Sequence, residues 1–230
     1  LDQNKVVVGT GFQGISEYND VTTIGRGGSD TSAVVLAVAL GAKECDIYTD
    51  VDGVYTTDPR QVSNATKLSL VSYDEMLELA SMGAQVLHPR AVECAKENGI
   101  ILHVRSSFSL DDGTRIKELN PMELNRTVTG IALKRDEAKI SVVGVPDRPG
   151  IAGKLFSELG KHNVNIDMII QSNEQENETN TISFTVSEDD FNDAKEITQT
   201  IAKNLGAGDV VGDTNIAKIS IVGVGMISKP

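Results

Sequence analysis

The run from Thr22 to Ala33 constrains this chain more than any other. It reads Thr22-Thr23-Ile24-Gly25-Arg26-Gly27-Gly28-Ser29-Asp30-Thr31-Ser32-Ala33, and apolar residues continue from it to Leu40. Gly27 and Gly28 carry no Cβ, so the backbone there can take positive φ and a ligand can come close to it. The pattern predicts a buried helix over Thr31–Leu40, ended by Gly41. The unpaired N–H groups and positive dipole end of that helix face the turn, which suits an anion. Arg26 adds a planar fork able to grip a carboxylate through two hydrogen bonds. Together these features read as a site for a small acidic ligand. The plainer alternative is a tight turn with Ser29 or Asp30 as an ordinary N-cap.

Around this turn, strand and helix patterns alternate. A short strand is expected at Lys5–Val8 and another at Cys45–Thr49. Amphipathic helices are expected at Tyr73–Ser81 and Pro89–Asn98, the second closed by Gly99. Ile100–Arg105 is a nearly continuous apolar run, as in a strand covered on both faces. Such alternation predicts an α/β layer with a mostly parallel sheet, whose ligands bind at the carboxyl ends of the strands. The polar stretch Asp111–Asn125 reads as a linker. A second unit follows, with strands at Lys139–Val145, Ile166–Gln171, Thr179–Val186 and Asp209–Gly212. Its helices are Gly150–His162 and Asp189–Leu205, and an acidic hairpin loop is expected over 172–180. The order β-α-β-β-α-β is the ferredoxin-like pattern.

Ala138–Val145 (AKISVVGV) returns as Ala217–Val224 (AKISIVGV), identical at seven of eight positions. The second copy reads as the start of another small domain, with a first strand that lacks a partner. Both ends of the chain read as cuts in a longer protein. The expected organisation is 1–118 as the carboxyl-side part of a catalytic domain and 119–137 as a linker and leading strand. Residues 138–213 then form the small domain, and 214–230 begin its second copy.

The net charge of −12, with no basic cluster, argues against nucleic acid or an anionic membrane as partner. No apolar run is long enough to span a bilayer and no signal-peptide pattern opens the chain. Cys45 and Cys94 make neither a disulfide framework nor a metal-ligand spacing, so a cytoplasmic protein without a bound structural metal is expected. Beyond the first turn, Tyr48–Arg60 leaves a strand end and is dense in hydroxyls, carboxylates and one arginine. Tyr55 offers a ring face, Thr49 and Asp50 polar groups, and Arg60 a partner for phosphate. Such a loop can hold a nucleotide; the alternative is a solvated loop turned by Asp58-Pro59.

Four segments together closely resemble the aspartate kinase family: Thr23–Asp30, Tyr48–Arg60, Gly83–Arg90 (GAQVLHPR) and Arg105–Phe108 (RSSF). The second unit resembles that family's ACT regulatory domain at Val145–Gly150 (VPDRPG) and Asn165–Gln171 (NIDMIIQ). The resemblance implies a three-layer amino acid kinase domain followed by an ACT domain and the start of a second one. It implies transfer of the γ-phosphoryl group of MgATP to the β-carboxylate of L-aspartate, with feedback by amino acids. By resemblance, Arg26, Gly27, Gly28 and Ser29 hold the aspartate, with Phe12 nearby, and Asp30 orients catalytic lysines. Thr49, Asp50, Tyr55, Arg60 and Gln85 form the ATP site.

The ACT resemblance implies that Asp147, Gly150, Asn165 and Gln171 hold lysine or threonine, in a homo-oligomer joined through ACT domains. The sequence departs from the family pattern in two ways. The Lys-x-Gly-Gly-Thr-Ser segment that supplies a phosphate lysine is not in it, and Gln85 stands where some members have lysine. The chain alone is therefore expected to be inactive. Two other readings stay open: an inactive amino-acid-binding module, and the kinase part of a bifunctional aspartokinase–homoserine dehydrogenase. His88 and His103 are expected to be structural, before a helix and in a buried strand, and His162 to cap a helix.

Overall fold

A computed structural model describes residues 5–120, 123, 126–174 and 179–228. The chain divides into two compact units, Leu1–Leu133 with Ile219–Pro230, and Lys134–Lys218.

The first unit opens with a hairpin that periodicity did not announce, β1 (Gln13–Ile15) against β2 (Val21–Thr23). Helix α1 (Gly28–Ala39) follows, then β3 (Glu44–Thr49), a small ribbon of β4 (Val54–Tyr55) and β5 (Lys67–Leu68), and β6 (Leu70–Ser72). Helices α2 (Tyr73–Ser81) and α3 (Pro89–Asn98) lead to β7 (Ile101–Ser106) and β8 (Thr114–Lys117). The main sheet has the order β3-β7-β8-β6. Pairs β3–β7 and β6–β8 are parallel and β7–β8 is antiparallel, so the sheet is mixed rather than wholly parallel. Its core includes Val34, Met76, Leu79, Val92, Leu102, Val104 and Ile116, each all but inaccessible to solvent.

Local chemistry explains the helix boundaries. Ser72 caps α2 in a capping box, its hydroxyl accepting from the Glu75 N–H while the Glu75 carboxylate accepts from the Ser72 N–H. The buried Glu75 also takes the Thr129 hydroxyl. Pro89 stands at the first turn of α3, where its missing N–H costs nothing, and Gly99 closes that helix at φ 65°.

The second unit is built from β9 (Gly130–Pro146), α4 (Ile151–Lys161), β10 (Ile169–Glu174), β11 (Thr179–Ser187), α5 (Phe191–Leu205) and β12 (Val210–Val222), before a short α6 (Gly225–Ser228). The sheet order β10-β11-β9-β12 is that of the ferredoxin-like βαββαβ pattern. Ile140, Val142, Leu155, Leu159, Ile182 and Phe184 fill its core, with Phe156 edge-on to Phe184 at 5.6 Å.

Several expectations fail on pairing. Lys5–Val8 forms no strand and lies exposed, because no ladder takes up its backbone groups. Within the stretch read as a linker, Thr114–Lys117 forms β8. Its alternation puts Thr114 and Ile116 inside and Arg115 and Lys117 toward the rim; residues 121, 122, 124 and 125 lie outside the described residues. The expected hairpin loop shrinks as well, since 172–174 belong to β10 and 179–180 to β11, and residues 175–178 lie outside the description. The strand at Asp209–Gly212 and the start of the repeat at Ala217 merge into the single strand β12, which lies beside β9. The repeated segment is thus not without a partner.

Candidate active site

The glycine turn is more tightly determined than its sequence suggests. Gly25 and Gly27 take φ of 87° and 72°, so α1 begins at Gly28 with Gly27 as its N-cap. Neither Ser29 nor Asp30 supplies the cap. Thr31 and Ser32 instead donate their hydroxyls back to the Gly27 and Gly28 carbonyls, at 2.9 and 2.6 Å. Ser29 and Arg26 are left exposed at the mouth of the turn.

Phe12 lies against this turn. A Cβ on Gly28 would meet Phe12 Cδ2 at 3.1 Å. The Ile24 N–H donates to the Phe12 carbonyl at 3.0 Å, and the Phe12 N–H donates to Ser32 Oγ at 3.3 Å. Phe12 itself sits at φ 67°, a left-handed conformation that a non-glycine residue holds only under constraint. Burial pushes the half-buried Asp30 carboxyl above the usual carboxylate range. A hydrogen bond from the His88 backbone and the nearby His88 ring oppose that rise. The structure therefore brings Phe12, Arg26, Gly27, Gly28, Ser29 and Asp30 together around one helix start.

The second constellation begins where β3 ends. Thr49 is level with Ser106 at the end of β7, so both strands present their carboxyl ends on one side of the unit. The Thr49 hydroxyl donates to Asp50 at 3.1 Å. Tyr55 hydrogen-bonds Asp52 at 3.0 Å, and Lys67 pairs with the same carboxylate at 3.1 Å. Burial acts to raise the Asp52 pKa, but the hydrogen bonds from Lys67 and Tyr55 outweigh it and hold the carboxyl below its usual range. Arg60 forks onto Asp58 (Nε–Oδ1 3.1 Å, Nη2–Oδ2 3.2 Å). Gln85 is exposed on the segment between α2 and α3. Sequence reasoning missed the Asp52–Lys67 pair, because the two residues meet only when β4 folds onto β5.

His103 is buried, as a strand histidine should be, but it has acidic company. Its Nδ1 lies 3.0 Å from Asp46 Oδ1 and 3.1 Å from Glu44 Oε1, and Nε2 lies 3.2 Å from the Asp112 carbonyl. Arg115 Nε in turn pairs with Glu44 at 3.3 Å. Parallel register sets Asp46 opposite His103 and puts Glu44 two residues earlier on the same face. This is a polar cluster on the sheet, with Arg115–Glu44 as an ion pair within it.

In the second unit, Asp147 and Gly150 flank the turn into α4, with Gly150 at φ 86°. Asn165 precedes β10 and Gln171 lies on it, and all four residues are exposed. Gln171 pairs with Ile182, and Ile182 with Val142. It is therefore two strand spacings, about 10 Å, from β9, and five residues short of Asp147 along it. The two pairs do not converge within one copy of the unit. His162 caps the end of α4, as expected.

Comparison with known proteins agrees with this architecture. The amino acid kinase family matches residues 1–106 and an ACT domain matches residues 140–200. An aspartokinase of Thermus thermophilus is 50% identical over 231 residues, covering 100% of this chain and 56% of its own length. A crystal structure of E. coli aspartokinase III in complex with aspartate and ADP, in its R-state, superposes with a TM-score of 0.73 at 30% identity. It covers 93% of this chain and 47% of that one. The same enzyme in complex with lysine and aspartate, in its T-state, gives 0.70 at 32% identity, covering 93% and 47%. The chain spans about half the length of the curated relatives that it matches. With an amino acid kinase segment joined to an ACT domain, and half of its residues shared with an aspartokinase along its whole length, the chain is similar to the aspartate kinases from end to end.

Proposed function

We propose that the protein containing this chain transfers the γ-phosphoryl group of ATP, as its Mg2+ complex, to the β-carboxylate of L-aspartate. The product is 4-phospho-L-aspartate, which places the enzyme at the start of lysine, threonine and methionine synthesis in the cytoplasm. The single observation that carries this reading is the turn at Gly25–Asp30. A helix start, two positive-φ glycines and an uncommitted, exposed Arg26 side chain make a cradle for an amino acid's carboxylate. The aspartate and ADP bound to the E. coli relative fit the same reading.

The chemistry asks little of a base. A carboxylate oxygen is already ionised and attacks the γ-phosphorus directly. The bond from that phosphorus to the bridging oxygen breaks, and ADP leaves with the electron pair. Catalysis then rests on alignment and on neutralising phosphate charge. Arg26, with the backbone at Gly27, Gly28 and Ser29, holds the substrate against Phe12. Asp30, desolvated beside His88, orients cationic groups that face the phosphates. Thr49, Asp50, Tyr55, Arg60 and Gln85 surround the nucleotide at the strand ends. The fork of Arg60 on Asp58 has to open, or act as a unit, to meet a phosphate.

In the second unit, Asp147, Gly150, Asn165 and Gln171 receive lysine or threonine as effector. The site is completed across a junction between ACT units. The exposed Ile169 and Ile170 on the edge strand β10 support such a junction. The lysine bound to the E. coli relative is consistent with this reading.

Hydroxylamine trapping of the acyl phosphate tests the catalytic reading. In the full-length enzyme, Arg26→Ala lowers kcat/KM for aspartate by about a hundredfold or more, and Arg26→Lys recovers part of it. Unchanged kinetics in Arg26→Ala would refute the assignment. The 230-residue chain alone yields no hydroxamate.

A further inference from the structure

The hydrogen bond that closes the glycine turn, from the Gly28 N–H to the Gly25 carbonyl at 3.0 Å, does not reach the Arg26 carbonyl. Gly25 and Gly27 lie on either side of Arg26 at positive φ, and an isolated peptide would sample many other conformations there. Yet the aim of the Arg26 side chain depends on the peptide planes beside it. A group outside the turn has to hold the Arg26 carbonyl.

One three-residue segment does so from two directions. Nη2 of Arg90 donates to the Arg26 carbonyl at 2.7 Å and reaches the Ile24 carbonyl at 3.4 Å, so one guanidinium nitrogen bridges both sides of Gly25. The ring of His88 occupies the space that a Cβ on Gly27 would need. The brace is itself anchored. His88 is the N-cap of α3, its Nδ1 accepting from the Arg90 N–H at 3.3 Å, and Pro89 sets the first turn of that helix. Arg90 is thus carried on a helix whose Ala91, Val92 and Ala95 are wholly buried.

We propose that Arg90 is a positioning residue for the acidic substrate. It does not touch the ligand. It fixes the carbonyl of Arg26, and through it the direction in which the Arg26 fork leaves the backbone. This rests on the reading of Arg26 as the substrate fork. Lysine is a poor replacement, since its ammonium is a compact point charge on a flexible stem rather than a rigid planar donor.

The test uses the full-length enzyme with Arg90→Ala, Arg90→Lys, Arg26→Ala and the Arg26→Ala/Arg90→Ala double variant. Arg90→Ala raises KM for aspartate about ten- to a hundredfold, while KM for ATP stays within about twofold; Arg90→Lys falls between. In the Arg26→Ala background, Arg90→Ala adds less than about threefold, because the group that it aims is already gone. Thermal melting confirms that each variant is folded. Should Arg90→Ala not fold, Arg90→Lys alone and in the Arg26→Ala background makes both comparisons. Equal effects on both substrates, or effects of Arg26 and Arg90 that simply multiply, overturn the proposal. If Arg26→Ala raises KM for aspartate and neither Arg90 variant does, Arg90 alone loses its role. If Arg26→Ala leaves that KM unchanged, the reading of the turn itself fails.

Discussion

At the scale of single residues, the turn at Gly25–Asp30 shows two separate reasons for one glycine. Gly27 needs φ of 72°, and its α-carbon also faces the His88 ring with no room between them. Gly99 offers the matching control: its φ is 65°, but nothing lies within 4 Å of where a Cβ would be. Gly99→Ala should therefore cost only the left-handed strain, about 1–2 kcal/mol, and leave aspartate kinetics alone. Gly27→Ala carries the same strain and must also displace His88 from beneath the turn. It should lower kcat/KM for aspartate by at least about tenfold in the full-length enzyme. Steady-state kinetics and melting of the two variants side by side would show it, and equal behaviour would mean that close packing on His88 plays no part. The need for glycine here was legible in the sequence. The partner that enforces it was not, because His88 lies 61 positions away and only the packing of α3 brings it under the turn.

At the scale of elements, the second unit depends on a charge cluster that sequence periodicity could not show. Glu137 is fully buried on β9 and pairs with Lys134. Asp167, ahead of β10, pairs with Lys218 on β12. Burial tends to raise the Asp167 pKa, but the Lys218 hydrogen bond and charge, with help from Glu137 and Lys134, bring it below its ordinary 3.8. A carboxyl depressed in the folded state binds its proton more weakly there than in the unfolded chain. Its stabilisation is present above about pH 4 and is lost as pH falls through the lower, folded value. Asp167→Asn should therefore flatten the acid limb of the stability profile of this chain between about pH 4 and 2. The cost at pH 7 should be no more than about 1 kcal/mol, since Asp167 is partly exposed. Urea melts across that range are the measurement; an unchanged acid limb would show that the Lys218 pair contributes nothing. The same scale explains β8. Thr114–Lys117 is too short and too polar to announce itself, and it becomes a strand because Ile116 and Thr114 complete the sheet between β7 and β6.

At the scale of the whole molecule, the chain carries two separate cores, one for each half of the regulated-enzyme reading. The residues proposed to hold the effector are divided between a helix start and an edge strand, and a second ACT unit set against β10 would bring a complementary pair to each. We expect the full-length protein to sediment as a dimer or larger. Ile170→Lys should shift it toward monomer by charging that edge. Calorimetric titration with lysine and threonine should give heat with at least one of them, and that heat should vanish in the Asp147→Ala/Gln171→Ala double variant. A monomer that binds neither amino acid would count against this arrangement.

The sequence by itself determined the fold class, the order of most elements, the helix ends at Gly99 and His162 and the likeness to aspartate kinases. Each of these rests on local pattern, capping chemistry or residue identity, which survive without knowledge of neighbours. Tertiary structure decided what local pattern leaves open. It left Lys5–Val8 without a ladder, made a strand of a polar linker, and fused Val210–Val222 into one element beside β9. It also committed Arg60 to Asp58 and Arg90 to the carbonyls of Ile24 and Arg26. Those outcomes depend on which backbone and side-chain groups meet across long separations, and an isolated stretch of sequence does not record that meeting.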